Sequence, residues 1–258
     1  MPEGDTVYRA AHNMQAAIAG QTITKSDFRV PKYATVDLSG QVLHEVVSRG
    51  KHLLHRIGDV TVHSHLKMEG SWHLYRHGSK WKRPAFQARV VLETADWVAV
   101  GFDLGILEVV PTAEEDEVVG YLGPDLLGPD WDADRALANL RAKPEREIGL
   151  ALLDQRNLAG IGNVYRAELC FLRGVLPTRP VGEVPQLEKT VDLARRLLLA
   201  NKDRTERTTT GNLRGTTAFV YGRAGKPCLR CGTPIQHGML GDSDLELRDS
   251  YWCPRCQT

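Results

Sequence analysis

Four of the five cysteines stand in two pairs, Cys228-x2-Cys231 and Cys253-x2-Cys256, with 21 residues between the pairs. A C-x2-C pair closes into a tight knuckle, and two knuckles bring four thiolates together as a tetrahedral zinc site. Residues 222–258 are too few to bury a core of their own, so metal binding is expected to be part of their folding. Two disulfides or a redox pair are the alternatives. The start, MPEGD, shows no basic-then-apolar leader, which favours a reducing compartment and a structural Zn2+. Four thiolates leave no open coordination position, so this metal is not expected to be catalytic. The fifth cysteine, Cys170, lies in a helical apolar pattern (YRAELCFL) and reads as core.

The tail closes a chain of 258 residues, long enough for one large domain or two modest ones. No stretch approaches 18 uninterrupted apolar residues, so no membrane span is expected. Residues 5–19 carry Val7, Ala10, Ala11, Met14 and Ile18 at helical spacing, closed by Gly20. From residue 22 to about 110 the texture changes to short runs rich in Val, Thr and aromatics, broken by Gly, Asp and Pro. Period-two alternation stands out at 88–92 and 97–100. This is antiparallel sheet folded into a sandwich or barrel.

An acidic, Pro/Gly-rich connection begins near 111, and a helical half follows. Helices are expected at 133–142 after the cap Asp132, at 145–155, at 163–173 and at 183–202. The last carries a stripe of Leu187, Val191, Ala194, Leu197 and Leu198. No internal repeat appears. Two domains are expected, one β-rich and one helical, with a groove between them.

Charge is balanced in total and uneven along the chain. Residues 49–83 hold eight Lys or Arg against two acids, together with six of the nine histidines. Residues 103–134 hold ten acids and no Lys or Arg, and residues 201–230 hold seven bases against two acids. Two separated basic stretches can line one groove for a polyanion; equally, they can be solvated surfaces.

Several residues could carry chemistry. With Met1 removed, Pro2 presents a secondary amine, and an α-amino group has a reference pKa of about 8, so part of it is neutral near pH 7. A neutral amine can attack an aldehyde-like carbon; otherwise Pro2 only starts the chain. Glu3 and Asp5 could move protons beside it, or serve as acids at a helix start. Lys51, in SRGKHLL, could place positive charge near a phosphate or remain a surface lysine. In LLDQRNLAGIGNVYRAEL (152–169), Gly160 and Gly162 permit a tight turn, and Asn163 is an N-cap candidate whose helix start could hold a phosphate. Arg248, near the turn of a hairpin between the cysteine pairs, could grip phosphate oxygens bidentately.

Four blocks in order, MPEG (1–4), RGKHLL (49–54), LLDQRNLAGIGNVYRAE (152–168) and the cysteine tail (225–257), resemble the formamidopyrimidine-DNA glycosylase and endonuclease VIII superfamily, on its actinobacterial endonuclease VIII side. The resemblance implies an α+β fold with an N-terminal antiparallel β-sandwich catalytic domain with flanking helices (1–123) and a linker (124–132). A helix–two-turn–helix DNA-binding domain (133–221) and a four-cysteine zinc finger with a β-hairpin (222–258) would follow. It implies a bifunctional DNA glycosylase and abasic-site lyase, most readily for oxidised pyrimidines, using Pro2 as the imine-forming nucleophile and β,δ-elimination. Oxidised or ring-opened purines, and non-catalytic binding of damaged DNA, are the alternative readings. Glu3 would act in acid–base roles, and Lys51 matches the family's catalytic lysine. Asn163 and Arg248 match phosphate-binding positions, and Met68, in SHLKMEGSW, would fill the gap left by an extruded nucleotide. No catalytic metal or nucleotide cofactor is implied. The partner would be damaged DNA, and the protein a monomer in the bacterial cytoplasm, at the nucleoid while acting. Two departures stand out. Where many relatives read MPEGPE this chain reads MPEGDT, so Asp5 and Thr6 replace Pro and Glu. Lys67, Met68 and Glu69 stand where endonuclease VIII has Gln, Leu and Tyr.

Overall fold

A computed structural model describes residues 2–258. Met1, whose removal the sequence reading requires, lies outside the described residues. The chain divides into two compact units, one of Pro2 with Thr6–Tyr121 and one of Glu3–Asp5 with Leu122–Thr258.

Helix α1 (Gly4–Ile18), which belongs to the first unit from Thr6 onward, turns Val7, Ala11, Met14 and Ile18 inward, as their spacing requires. Eight strands follow: β1 (Lys25–Phe28), β2 (Leu43–Arg49), β3 (His52–Ile57), β4 (Val60–His65), β5 (Ser71–Arg76), β6 (Ala88–Glu93), β7 (Trp97–Phe102) and β8 (Ile106–Pro111). They form two four-stranded antiparallel sheets, ordered β1-β6-β7-β5 and β2-β3-β4-β8. One core lies between the sheets and takes in the α1 stripe: Leu43, Val46, Leu53, Ile57 and Val62 from one sheet meet Phe28, Val90, Leu92 and Ala99 from the other. This is the sandwich the sequence calls for.

The alternation read at 88–92 and 97–100 does not become one wet and one dry face. Val91, Val98, Val100 and Phe102 are also buried, in a second cluster with Tyr75 and the half-buried Trp81. The 77–87 connection folds Trp81 against the outer face of the sheet, so both faces of β6 and β7 are covered.

The second unit carries a short helix α3 (Ala133–Arg141), α4 (Ile148–Leu153), α5 (Asn163–Arg173) and α6 (Leu187–Asn201), while α2 (Asp116–Val119) belongs to the first unit. The Asp132 carboxylate accepts from the Arg135 N–H at 2.9 Å and caps α3 as predicted. Helix α5 spans the predicted residues and stops at Gly174, which takes the left-handed conformation at φ 70°.

Two helices are shorter than their patterns suggest. Residues 146–148 bond to 179–181 through Ile148 N–H to Arg179 O and Val181 N–H to Arg146 O, so α4 begins only at Ile148. Pro185 and Gln186, the latter at φ 53°, delay α6 until Leu187. The buried stripe of α6 is Leu187, Val191, Ala194 and Leu198, with Leu197 half-buried. A hairpin of β9 (Gln236–Leu240) and β10 (Arg248–Trp252) completes the unit. Its cluster of Val220, Cys228, Ile235 and Cys253 packs on Ala167 and Phe171 of α5. Among the described residues, no helix is long and apolar enough to cross a membrane.

Candidate active site and nucleic-acid interface

The start of α5 organises the second unit's site. A helix N-terminus leaves N–H groups without intrahelical partners and favours negative charge. Here the anion is supplied by the chain itself. The fully buried Glu3 carboxylate accepts from the N–H groups of Gly162 (2.7 Å), Val164 (2.7 Å) and Tyr165 (3.3 Å). This corrects the expectation that Asn163 caps the helix and that its N–H groups await a phosphate. Asn163 is the first residue of α5, and Gly162 stands at the cap without a side-chain bond.

The glycines of the 160–162 turn make this seat possible. A Cβ on Gly162 would lie 2.4 Å from the Glu3 carboxyl carbon, and one on Gly4 would lie 2.9 Å from the Gly160 Cα. Both are closer than atoms can approach. The Gly4 N–H also donates to the Gly160 carbonyl at 2.9 Å.

Asp5 is buried two residues further on. It accepts from Arg207 at 2.7 Å (Nε) and 2.5 Å (Nη2), and from the Tyr165 hydroxyl at 3.0 Å. Burial, then the Asp5 charge, pushes the Tyr165 phenol up, so it stays a protonated donor. The Arg207 guanidinium also stacks over the Tyr165 ring and comes within 3.7 Å of Glu3. Sequence reading missed Arg207 and Tyr165 as partners of Asp5. Its only signal was Arg207's place in a basic stretch. Asp5, engaged by Arg207 and Tyr165, anchors the start of the chain to the second unit's residues.

Asn163 and Arg166 face the hairpin. Both are buried, and the Asn163 Nδ2 and Arg166 Nη2 donate to the Asp249 carbonyl at 2.8 and 2.6 Å. They fix the backbone beside Arg248, which is exposed at the first position of β10. Arg248 borders an open recess of about 280 Å³ whose rim mixes charges: Arg146 pairs with Asp242 at 2.7 Å and Arg156 lies 3.8 Å from Asp154, while Lys143 and Arg248 line it beside Glu246. Glu168, fully buried, gathers the N–H groups of Phe219, Val220 and Tyr221 and so ties 219–221 to α5.

The four paired cysteines converge, with all Sγ atoms within 4.8 Å of one another. Cys228–Cys256 and Cys231–Cys253 stand 3.9 and 3.5 Å apart, far beyond a disulfide bond of about 2.05 Å. These separations match the edges of a tetrahedron with Zn–S bonds of about 2.3 Å. The donor set therefore fits a structural Zn2+. Cys170 is buried in the helical core, and burial pushes its thiol up to about 12, which makes it inert.

In the first unit, Pro2 is half-buried and lies one peptide bond from Glu3. Lys51, also half-buried, occupies the two-residue turn between β2 and β3, after Gly50 at φ 58°. Behind it, hydrogen bonds connect Tyr121 Oη to His52 Nε2 (3.1 Å), His52 Nδ1 to His63 Nε2 (2.7 Å) and His63 Nδ1 to Glu108 (2.9 Å). Burial first, then the neighbouring histidines and lysines, pushes His52 down to about 3; burial and the Lys67 and Lys51 charges push His65 down to about 4. The rings are therefore neutral at physiological pH. Met68 is 59% exposed in the turn after β4, next to Lys67 at φ 50°.

Known proteins share this architecture. Residues 1–103 match the formamidopyrimidine-DNA glycosylase N-terminal domain, and residues 122–198 match the formamidopyrimidine-DNA glycosylase H2TH domain. The chain belongs to the formamidopyrimidine-DNA glycosylase family. Within that family it is 59% identical to "Probable endonuclease 8 2" of Streptomyces coelicolor, over all of this chain and 94% of the relative. It is 54% identical to "DNA-(apurinic or apyrimidinic site) lyase Nei2" of Mycolicibacterium smegmatis, over all of this chain and 99% of the relative. A solved glycosylase-family structure, MutM in complex with carbocyclic 8-oxo-G containing DNA, superposes over the full length of both chains with a TM-score of 0.82 at 24% identity, a likeness of fold.

Proposed function

We propose that this glycosylase-family chain prefers oxidised pyrimidines, and that Pro2, Glu3 and Lys51 carry its chemistry. The activity is that of a bifunctional DNA glycosylase and abasic-site lyase acting on oxidised bases. With Met1 removed, the neutral Pro2 nitrogen attacks C1′ of the damaged nucleoside, and the base leaves with its bonding electrons. Glu3 exchanges the proton that lets the deoxyribose ring open through O4′, which leaves an iminium on Pro2. The iminium draws electrons from the sugar, and successive β- and δ-eliminations cut the strand on both sides. Lys51 supplies positive charge to the phosphates.

The observation that carries the reading is Glu3's seat at the α5 N-terminus. Fixing Glu3 confines an amine one residue away to a few ångströms, the kind of positioning that turns a bimolecular attack into a local one. Asn163 and Arg248 serve the DNA backbone, Asn163 through the hairpin carbonyl it holds. Met68 fills the gap left by the extruded nucleotide. The four cysteines hold structural zinc, whose chemistry is limited to folding the hairpin. The relatives' names, endonuclease 8 and abasic-site lyase, support the lyase, and the preference for oxidised pyrimidines rests on the chain's resemblance to the endonuclease VIII side of the family. The domain limits follow the sequence reading, 1–123, 133–221 and 222–258. The protein acts as a monomer in the bacterial cytoplasm, on the nucleoid.

Borohydride trapping tests the reading. Oligonucleotides bearing an abasic site, 5-hydroxyuracil, dihydrouracil, thymine glycol or 8-oxoguanine are each offered single-stranded and as duplex. A stable protein–DNA adduct, absent in Pro2→Gly although that variant still binds DNA, is expected. Tight binding without an adduct in zinc-loaded, Met1-processed protein would leave a non-catalytic binder.

A further inference from the structure

Residues 70–92 contain five Lys or Arg and no acid. The 77–87 connection in this stretch has two sides. Trp81 faces inward, packed on Phe102 and stacked on Tyr75. Phe86 faces outward and is 80% exposed, and Lys80 and Lys82, earlier in the same connection, are exposed as well. No ion pair engages either lysine among the described residues. Residues 79–85 of the connection also line an open recess of about 670 Å³.

Arg83 fastens this connection to the turn that carries Met68. Its guanidinium donates to the Glu69 carbonyl (2.9 Å), the Ser71 hydroxyl (3.0 Å), Gln87 Oε1 (3.1 Å) and Asp103 (2.5 Å). The 103–105 turn closes on the same place, since the Gly105 N–H donates to the His65 carbonyl and a Cβ on Gly105 would strike the Lys67 side chain. Met68 and Phe86 therefore stand on loops of one unit that a single arginine ties together.

We infer that Phe86, Lys80 and Lys82 form a contact surface for single-stranded DNA beside Met68, a deepening that rests on the reading of this chain as a DNA lyase. A duplex offers outward side chains its phosphates and base edges, with base faces covered by their neighbours. An exposed ring on a connection that also carries two exposed ammonium groups fits an unpaired base and its neighbouring phosphates. The surface thus takes unpaired nucleotides flanking the lesion, and it favours damage in strands that have been opened.

Fluorescence anisotropy with a labelled 20-mer containing a stable abasic-site analogue, single-stranded or annealed, reads the surface directly. Phe86→Ala should weaken single-strand binding about ten-fold, the loss of one stacking contact, and Phe86→Trp should restore it. Lys80→Ala/Lys82→Ala should flatten the single-strand salt dependence of log Kd by about 1.4, at roughly 0.7 per phosphate contact. The charge-matched control Lys25→Ala/Lys189→Ala should leave that slope in place. Single-strand affinity unchanged in Phe86→Ala, or single-strand and duplex binding weakened equally, would overturn the proposal. Borohydride trapping of the wild type separates the two readings. Adduct formation with unchanged Phe86→Ala affinity sinks the surface alone. A missing adduct sinks the lyase, while anisotropy still decides the surface.

Discussion

The sandwich and the cysteine hairpin are stabilised by different means. The sandwich buries a continuous apolar cluster drawn from α1 and both sheets, and its polar interior is a few histidines and hydroxyls. The hairpin module has a handful of buried apolar residues, two of them cysteines, and leans on α5 through Ala167 and Phe171. A large core tolerates the loss of one contact; a small module whose thiolates hold a metal does not. Folding of the first is distributed over many side chains, and folding of the second is concentrated in four sulfur atoms.

The sharpest way to break that contrast is at the metal. Cys253→Ala, or a strong chelator, should unfold the hairpin, release zinc and abolish DNA binding, while the sandwich keeps its β-sheet circular dichroism. Simultaneous loss of the sheet signal would show that the sandwich depends on the tail. Next in size is the seat of Glu3. Gly162→Ala forces a methyl into the Glu3 carboxylate and should cost about 3 kcal/mol of unfolding free energy, with lyase turnover lost alongside it. Wild-type turnover in this variant would disconnect the seat from catalysis.

Acid should separate the regions too. His52, His55 and His65 are held near 3, 4 and 4, chiefly by burial, while their unfolded-state value lies near 6.5. The unfolded chain therefore binds more protons below pH 6.5. Sandwich stability should be intact above that pH and fall steadily toward pH 4, by roughly 3 kcal/mol or more in all. Denaturant melts at pH 7 and 5 check this, and a flat profile would contradict it. The smallest effect is at the hairpin tip, where Arg248→Ala should lower affinity for DNA of any sequence by about ten-fold without changing the melt.

Sequence reading went furthest where the signal was local. Helix α1, the end of α5 at Gly174, the Asp132 cap and the four sulfur ligands follow from spacing and composition. The two-domain α+β architecture was legible in the change from short Val- and Thr-rich runs to 3.6-residue periodicity. Long-range pairing was not. Asn163 is the residue a cap rule selects, yet the cap comes from Glu3, which accepts from the Gly162 N–H across 159 positions. Asp5 finds Arg207 across 202 positions, and no pattern around either residue points to the other. The strands at 88–93 and 97–102 misled for a related reason, because the cover on their outer face comes from a loop with no periodicity of its own.

The seat of residues 3–5 has a consequence for how the protein is made. The ribosome delivers these residues first, and their partners at 162–165 and 207 follow 159 to 202 positions later. At roughly 5–20 residues per second, Arg207 emerges about 10–40 s after Asp5. During that interval the amine-bearing end has nowhere to lock. If Pro2 is the nucleophile we propose, a nascent or prematurely terminated chain carries its nitrogen without the surroundings that aim it, and the amine gains its direction only after residue 207 has been synthesised.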